Sequence, residues 1–491
     1  MTNYKHGIST TRDADISIEV SEAARVHAVI GTAPINLLDD PEKAVNTPYL
    51  VKNRGEVKEN LGICTNYEDY TLMQATLVSL QKIGTAPLVM INVLDPSKPQ
   101  HVTAVAGEEF QVTKGNTKVE VEGILLKTLV VSKDDTQGKA DEDYVAAFDA
   151  NGYVNIAVSE TGKLKGAEKL TIAYSKLNPK GVTEEDIIGG VGEDGIRTGI
   201  ELVDEIYSRF QLIPDILTAP GYSKSPQVAA ALEMKAELIG ELTNAVAIVD
   251  IESETTVRPE DVKTAKDKLG CFARQTVACW PKVLVGGYNI YASSVVAAVL
   301  QSEATKNEGV PTSPDNKTAP IEGVVLENGK EIHMTQKQVN NFINAAGVVS
   351  FSYLGGWKCW GNNTVAYPDK TEPSNRFIKC VMMSNYIENR FKTEYLSEIG
   401  TDGKTKVIDS IVSNFNADLN ALVPDYLAGA EVIFDKEENP ISEIEEGRFV
   451  FKTDTQTGHQ WNILKTVLHG IQKSCGRHLK EENKDGKKIN S

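Results

Sequence analysis

Residues 429–440 read GAEVIFDKEENP, and this stretch decides how the C-terminal part of the chain is interpreted. Its apolar alternation ends in an acidic turn, a pattern that predicts a strand leaving a core. Upstream lies NRFIKCVMMSNYIENRF (375–391), in which we predict a helix at 376–391. Downstream lies GRFVFKTD (447–454), which has the character of a strand. We therefore expect the opening stretch to lead into a set of C-terminal strands.

The rest of the C-terminal region, from residue 331 onward, contains one clear helix and one ambiguous segment. Apolar residues three and four apart predict the helix, and they are Ile408, Ile411, Val412, Phe415, Leu419 and Leu422. The segment NILKTVLHGI (462–471) fits a helix through the spacing of Ile463, Val467 and Ile471. It fits a strand equally well through its two-residue alternation.

Length and charge restrict the classes of protein to which the chain can belong. With 491 residues it is too long for one compact core, so we expect roughly two to four domains. The formal charge of −17 argues against binding to nucleic acid or to an anionic membrane. The sequence contains no uninterrupted apolar run of about 18 residues, so we predict no membrane span. The N-terminus lacks the layout of a secretory signal, so we expect the chain to stay in the cytoplasm where it is made.

The pattern of an α/β fold occupies residues 25–100 and resumes at 178–330. Near-continuous apolar runs predict buried strands at 26–33, 87–94 and 245–251, and VLV (283–285) predicts another. Between them, helices are predicted around Met73, Leu77 and Leu80, at 226–243 and near 259–269. A Pro-, Gly- and Asn-rich connector at 305–330 ends this region.

Residues 101–177 interrupt the α/β pattern. Segments such as KLTIAYS alternate with period two, so that Leu170, Ile172 and Tyr174 share a face, and no helical period appears. We interpret 101–177 as an all-β domain inserted between two halves of the α/β domain.

Residues 1–24 are interpreted as an extended arm. Ile16, Ile18 and Val20 alternate with Ser17 and Glu19, as in a half-buried strand, and no adjacent turn folds the segment into a hairpin. Such a strand must find a sheet edge, either on a neighbouring subunit or within its own chain.

The sharpest signal for an enzyme is Gly190–Gly195, a formal GxGxxG that would suit an NAD-type oxidoreductase. That loop must follow a buried strand, whereas TEEDII precedes it here, and Glu193 and Asp194 would repel a pyrophosphate. The cysteines lack CxxC spacing and the histidines form no HxxxH or HExxH pair. We therefore predict no enzyme, no catalytic residue, no cofactor and no metal site.

One charge pattern suggests a docking surface. On a helix at 376–391, Arg376, Lys379 and Arg390 would fall within about 60° of one another. This cationic stripe could face an acidic partner, or it could be a solvated face that pairs locally with Glu388 or Glu394.

Several segments, in order along the chain, together resemble the contractile phage tail sheath protein family, found in myophages and R-type bacteriocins. They are YKHG (4–7), NPKGVTEEDIIGG with RTGIEL (178–202), LTAPGYSKSPQVAAAL (217–232), the SPDNK connector (313–317), AAGVVSF (345–351), WGNNT (360–364), the NRFIK…YIE helix and the opening stretch. The insertion 101–177 has no counterpart in these segments, as in the variable outer domains of sheath proteins. Lys379-Cys380 stands where the family often has paired arginines.

The resemblance implies an α/β (α+β) multidomain fold with a sheath-type C-terminal domain at 331–491. In the family, N-terminal arms and C-terminal strands of different subunits complete one another's sheets. Here these would be residues 8–24 and 447–471, with Ile16, Ile18, Val20, Phe449, Phe451, Ile463 and Val467 as exchange residues. The resemblance thereby favours a strand at 462–471.

The resemblance also implies a function and partners. The chain would polymerise as hexameric rings into a helical sheath around an inner tail tube protein, and would meet baseplate and tail-terminator proteins. Assembly would occur in the cytoplasm of the bacterial host, and the product would be the tail of a virion or bacteriocin. Contraction would drive the tube through a target envelope. As alternatives, Gly190–Gly195 would support an oxidoreductase, and 101–177 would support a receptor- or glycan-binding module.

Overall fold

The computed structural model describes residues 25–399, 405–457 and 460–469. The arm residues Ile16, Ile18 and Val20 lie outside the described residues. The strands are β1 (Val26–Gly31), β2 (Pro48–Val51), β3 (Leu88–Asn92), β4 (Val102–Gln111), β5 (Asn116–Val119), β6 (Val130–Lys133), β7 (Thr136–Gln137), β8 (Tyr144–Phe148), β9 (Val154–Val158), β10 (Lys169–Leu177), β11 (Gly190–Val191), β12 (Arg197–Thr198), β13 (Pro214–Thr218), β14 (Val246–Asp250), β15 (Thr276–Cys279), β16 (Lys282–Val285), β17 (Tyr288–Ile290), β18 (Gly323–Val325), β19 (Val348–Tyr353), β20 (Trp357–Trp360), β21 (Gly429–Ile433), β22 (Arg448–Thr457) and β23 (Gln460–His469).

Several of the helices are short, and two of them continue as π-helical segments. The α-helices are α1 (Arg54–Leu61), α2 (Leu72–Ala75), α3 (Glu184–Ile188), α4 (Ile206–Phe210), α5 (Pro226–Glu237), α6 (Val262–Leu269), α7 (Ala292–Lys306), α8 (Gln336–Gln338), α9 (Pro373–Arg376), α10 (Ile378–Glu394), α11 (Thr405–Ala421) and α12 (Ile441–Glu445). Helices α2 and α8 continue as the π-helical segments Thr76–Ile83 and Val339–Ile343. Turns of 3-10 helix lie at Ile35–Leu37, Pro41–Ala44, Pro99–His101, Leu126–Thr128, Pro179–Gly181, Gly199–Glu205, Pro259–Asp261, Asn344–Ala346 and Leu396–Glu398.

An eight-stranded sheet forms the centre of the fold, in the order β2-β3-β1-β13-β14-β15-β19-β20. Neighbours from β3 to β19 pair in parallel, and β2 and β20 pair antiparallel at the two ends. Every residue of β1, β3, β13 and β14 is buried, as expected for parallel strands covered by helices such as α5 and α7. The buried strands predicted at 26–33, 87–94 and 245–251 are confirmed.

Two predicted elements of the α/β region differ in detail. The helix predicted at 226–243 ends at Glu237, because Leu238 is extended and Gly240 has φ +56°. The predicted VLV strand is real but does not join the central sheet. It lies within β16, which pairs with β17 and β18 in a separate three-stranded sheet, and β18 comes from the predicted connector at 305–330.

The central sheet extends beyond residue 330, where the sequence suggested a domain boundary. Strands β19 and β20 add to β15, and their residues share one buried core with β1 and β14. The buried ammonium of Lys266 on α6 reinforces this connection, donating to the carbonyls of Ala346 (3.0 Å), Val365 (2.8 Å) and Tyr367 (2.8 Å). The predicted boundary at residue 330 is therefore wrong, because hydrogen bonds and a shared core join the residues on both sides of it.

Residues 102–177 form two antiparallel sheets, β4-β10-β6-β7 and β5-β9-β8. They enclose a core of their own that includes Leu170, Ile172 and Tyr174, the predicted buried face of β10. The outer strand β4 carries a bulge opposite Ile172 and Tyr174, and the exposed Glu108 and Glu109 lie beside it. Bulges and charges of this kind hinder an edge strand from pairing with another chain.

The two chain crossings into this β-rich region are held together by a polar network. The amide of Asn178 donates to the carbonyl of His101 (2.7 Å), and His101 Nε2 lies 3.1 Å from Asp186 Oδ2. Burial alone would raise the pKa of Asp186, but hydrogen bonds from Lys98, Thr183 and His101 outweigh it and hold the pKa at about 2. The entry and exit of 101–177 are thus fixed to α3.

The C-terminal region packs helices α10 and α11 against the antiparallel sheet β21-β22-β23. Its core is aromatic, with Phe391 in ring contact with Phe415 (4.9 Å) and Phe451 (5.3 Å). The predicted helix over 408–422 is confirmed through Ala421, and its apolar face is buried. The ambiguous segment 462–471 is a strand as far as His469, because each of its residues 462–469 pairs with β22, and residues 470–471 lie outside the described residues.

The predicted helix at 376–391 is broken near its start. Phe377 has φ −87° and ψ 124°, an extended conformation that ends α9 at Arg376, and α10 begins at Ile378. Arg376 therefore does not share a helical face with Lys379 and Arg390, and the predicted three-residue stripe is wrong.

Candidate functional site

The glycine motif at Gly190–Gly195 forms a surface hairpin. Strands β11 and β12 pair antiparallel, and the amide of Gly192 donates to the carbonyl of Ile196 (2.8 Å). The short helix α3 precedes the hairpin and a 3-10 turn follows it. A dinucleotide-binding loop instead joins a buried parallel strand to a helix N-terminus. The motif therefore lacks the context that NAD binding requires.

The strand order of the central sheet reverses between β1 and β13, where open α/β sheets hold their ligands. Here the chain's own side chains occupy that position. Thr71 Oγ1 accepts from the amide of Thr32 (3.3 Å), and Thr32 Oγ1 accepts from the amide of Thr71 (3.0 Å). A Cβ at Gly31 would lie 2.2 Å from Thr71 Oγ1, so the packing is close. These contacts tie the end of β1 to the segment that leads into α2.

A buried carboxylate lies at the end of β14. Asp250 accepts hydrogen bonds from the amide of Ser293 (2.9 Å), from Ser293 Oγ (2.5 Å) and from Ser223 Oγ (3.2 Å). Burial raises its pKa to about 6 despite these bonds. Its hydrogen-bond partners tie α7 and the loop after β13 to β14, an arrangement that suits a structural role.

A second polar cluster, which the sequence did not predict, surrounds Glu327. Its Oε1 accepts from Tyr291 Oη (2.6 Å) and from Lys224 Nζ (3.0 Å), and Lys282 Nζ lies 3.7 Å away. The Lys282 ammonium also lies 4.2 Å from the Tyr291 ring centroid. Each charge in the cluster thus has a counter-charge or a ring as its partner. Only spatial proximity identifies this cluster, since its members are far apart in sequence and match no motif.

The described residues hold no group of three or more His, Cys, Asp or Glu side chains arranged for a metal ion. Within the same residues, no helix has both the length and the apolar character needed to cross a bilayer.

Amide side chains cap one edge of the C-terminal sheet. On the outer side of β21, the amide of Val432 donates to Asn416 Oδ1 and Asn416 Nδ2 donates to the Val432 carbonyl, both at 2.8 Å. Where β22 extends beyond β21, Asn439 bonds Val450 in the same way, at 2.7 and 2.8 Å. These side chains occupy backbone groups that another strand would otherwise use.

At the opposite edge of this sheet, no cap is present among the described residues. Among the residues that the structure describes, no strand pairs with the outer side of β23. Because Val432 and Val450 direct their backbone groups away from β23, the alternation of an antiparallel ladder directs those of 449, 451 and 453 towards it. The same alternation directs the backbone N–H and C=O of Ile463, Lys465 and Val467 to the open side.

The predicted exchange residues therefore divide into two groups. Ile463 and Val467 present backbone groups at the open edge, whereas Phe449 and Phe451 lie on the central strand β22, paired on both sides within the chain. Both phenylalanine side chains are buried in the aromatic core. Within the described chain the central strand β22 is paired on both sides, so it offers no free edge there, and the exchange of Phe449 and Phe451 between subunits stays a prediction.

The predicted cations have separate surroundings. The Arg376 guanidinium lies 4.5 Å from the rings of Tyr367 and Phe377. Arg390 pairs with Asp418 (2.9 Å) and with Glu394 (3.7 Å), so it is largely neutralised locally. Lys379 is half-buried on α10, and no carboxylate of the described residues pairs with it.

Comparison with known proteins finds two tail sheath proteins that are similar in sequence to this chain. No protein-family model matches the chain. The tail sheath protein of Burkholderia phage BcepMu is 27% identical over 467 residues, covering 91% of this chain and 93% of that protein. A putative prophage major tail sheath protein of Pseudomonas aeruginosa strain UCBPP-PA14 is 26% identical over 235 residues, covering 47% of this chain and 58% of that protein.

Two solved structures share the fold. One is a chain in the six-fold symmetrised cryo-EM structure of the anti-feeding prophage baseplate, with a TM-score of 0.53, 14% identity and coverage of 94% of this chain and 97% of that chain. The other is the crystal structure of the sheath tail protein of Desulfitobacterium hafniense, with a TM-score of 0.51, 12% identity and coverage of 94% and 100%. The chain is thus similar over nearly its whole length to a phage tail sheath protein, and it shares its fold with the two solved chains.

Proposed function

We propose that the chain is the structural subunit of a contractile tail sheath, which polymerises as hexameric rings around an inner tube. The observation that carries the proposal is the outer edge of β23, which no other strand in the described part of the chain covers, in a sheet whose other edge is closed by Asn416 and Asn439. One open edge on each subunit suits directional head-to-tail pairing, which generates an open helix when the rotation does not close. The full-length similarity to a phage tail sheath protein supports the same function.

The strand that occupies this edge is proposed to be the N-terminal arm of a neighbouring subunit, residues 8–24. Ile16, Ile18 and Val20 have the alternation of such a strand. Ile463 and Val467 would receive it through their backbone groups. In this arrangement most of the pairing energy comes from main-chain hydrogen bonds, so it tolerates variation in the side chains.

The domains would then have distinct roles. Residues 25–100 with 178–367 would form the α/β body, 101–177 would form an outer domain, and the remainder would form the assembly domain with its terminal strands. Self-association is the main interaction, and the inner tail tube, baseplate and tail-terminator proteins are the further partners. Assembly would take place in the bacterial cytoplasm. Contraction would release energy stored in subunit contacts and drive the tube through a target envelope, so no catalytic residue or cofactor is required.

Neither earlier alternative is retained. The oxidoreductase hypothesis fails on the hairpin geometry at Gly190–Gly195, and the comparisons give no support to a receptor- or glycan-binding role for 101–177.

Negative-stain electron microscopy of the chain expressed alone tests the proposal. We expect long, hollow, striated tubes. Deletion of residues 2–20 should abolish tubes while leaving the circular dichroism of the subunit unchanged, because the three buried cores described above are formed by Val26 and later residues. Discrete small oligomers from the full chain would count against a sheath, and tubes from the deletion variant would exclude arm exchange.

A further inference from the structure

Two asparagine side chains take the place of a neighbouring strand on the β21 side of the C-terminal sheet. A carboxamide offers an oxygen acceptor and an N–H donor, so it can bond both the N–H and the C=O of one residue, as a paired strand does. Asn416 bonds Val432 in this way and Asn439 bonds Val450, with all four distances at 2.7 to 2.8 Å. Both positions are thereby denied to any other strand.

The two asparagines come from different elements that meet at this edge. Asn416 follows Phe415 on α11, and the Phe415 ring is buried in the aromatic core while Asn416 itself is half-buried. Asn439 lies in the turn between β21 and α12, where its Nδ2 also donates to the carbonyl of Asp435 (2.7 Å). The same chemical group therefore closes the edge at two places, from two elements that are separate in sequence.

We propose that Asn416 and Asn439 prevent one copy of the chain from adding its β23 to the β21 side of a second copy. No strand of the described residues pairs with the outer side of β23. If the β21 side were open as well, each copy could accept one neighbour and offer itself to another. Such a head-to-tail contact need not close, so copies would add without limit.

Closure of the β21 side fixes where the C-terminal sheet can be extended. It leaves the β23 side as the position for an incoming strand, and it excludes the β21 side even when copies are concentrated in an assembly. The inference shares the outer edge of β23 with the proposed function. It concerns a different contact, between two sheets, and it holds whichever strand the β23 edge receives in the assembled state.

Substitution of Asn416 in the full chain tests this role. Asn416→Ala frees the N–H and C=O of Val432 for a contact between copies. The critical concentration for association, measured by sedimentation, should fall at least about ten-fold below that of the unmodified chain. Electron microscopy should show irregular aggregates in place of tubes.

The matched control is Asn389→Ala. Asn389 bonds the N–H and C=O of Asn244 at 2.8 and 2.7 Å, so the same pair of hydrogen bonds is lost. Asn244 leads into β14, which is paired on both sides in the central sheet, so this substitution opens no sheet edge. We expect the critical concentration of Asn389→Ala to stay within about three-fold of that of the unmodified chain.

A double variant identifies the strand that joins the aggregates. Lys465→Pro removes an N–H from the outer side of β23, so Asn416→Ala combined with Lys465→Pro should aggregate less than Asn416→Ala alone. Asn439→Ala, which frees Val450 on the same edge, replaces Asn416→Ala should that variant fail to fold.

The outcomes separate this inference from the sheath proposal. Equal critical concentrations for Asn416→Ala and Asn389→Ala would overturn it, because loss of stability alone would then explain the association. Aggregation that persists unchanged in the Lys465→Pro double variant would also overturn it. A chain that never forms tubes would contradict the sheath proposal but would leave the comparison between the two asparagine variants intact.

Discussion

If a neighbouring subunit pairs with the open edge of β23, removing a single backbone N–H from that edge should weaken assembly. Lys465 lies at the middle of β23, and its N–H is directed to the open side. In Lys465→Pro this donor is lost without removing a hydrogen bond to β22, and proline is tolerated on an edge strand whose N–H faces solvent. The isolated subunit should therefore fold normally, because within it β23 is an edge strand.

Assembly should suffer, because an incoming strand converts β23 into a central strand. The docked strand would lose one hydrogen bond, about 1 kcal/mol net, and would leave one of its own carbonyls buried without a donor, about 1–3 kcal/mol. The sum is about 3 kcal/mol for each subunit contact. At 1.4 kcal/mol per factor of ten, the critical concentration for tube formation should rise about 100-fold.

Sedimentation across a concentration series measures the critical concentration, and circular dichroism with thermal unfolding checks the subunit. The matched control is Ala430→Pro on β21, whose N–H is directed to the edge that Asn416 caps. We expect this control to assemble within about three-fold of the unmodified chain. Normal assembly of Lys465→Pro, or an equal defect in both variants, would refute the assignment of the exchange edge to β23.

Three further predictions concern stability and the outer domain. Lys266→Met should lower the free energy of unfolding by about 3 kcal/mol in urea titrations, because three buried carbonyls lose their donor, whereas Lys263→Met on the exposed face should change it by less than about 0.5 kcal/mol. The raised pKa of Asp250, about 6, means that its contribution to stability is full below about pH 4 and is lost as the pH rises through 6. Asp250→Asn should remove this slope, at most about 1.4 kcal/mol per pH unit, and an unchanged slope in unfolding at pH 4 to 7 would contradict it. Replacing 102–177 by a short Gly/Ser linker should leave tubes intact by microscopy, because Asn178 and His101 already bring the two ends together; loss of tubes would show that this region takes part in assembly.

Local patterns in the sequence were sufficient for most of the secondary structure. Continuous apolar runs identified β1, β3 and β14, and strict alternation identified β10. A strand that is buried on both faces is apolar at every position, whereas a strand that is buried on one face is apolar at every second position. Helix α11 was equally clear from its apolar spacing. The order of motifs along the chain was also sufficient for the resemblance to tail sheath proteins.

Local patterns failed where a distant contact decided the outcome. The extended conformation at Phe377 broke a helix whose composition appeared uniform, and it placed Arg376 against Tyr367. The boundary expected at residue 330 did not exist, because β19 pairs with β15 across some seventy residues of chain. Pairing partners are set by the whole sheet, and composition does not record them.

The same distinction applies to the candidate site. The sequence by itself determined that 429–440 begins a strand, that further strand-forming segments follow, and that no catalytic motif competes with them, because these properties depend on residue type and spacing. Only the tertiary structure decided which edge is open. Asn416 and Asn439 close one side through hydrogen bonds to Val432 and Val450, and β22 is central because it is paired on both sides. Whether a backbone N–H is free depends on which group lies next to it in space, and that neighbour cannot be read from the residues on either side of it in the sequence.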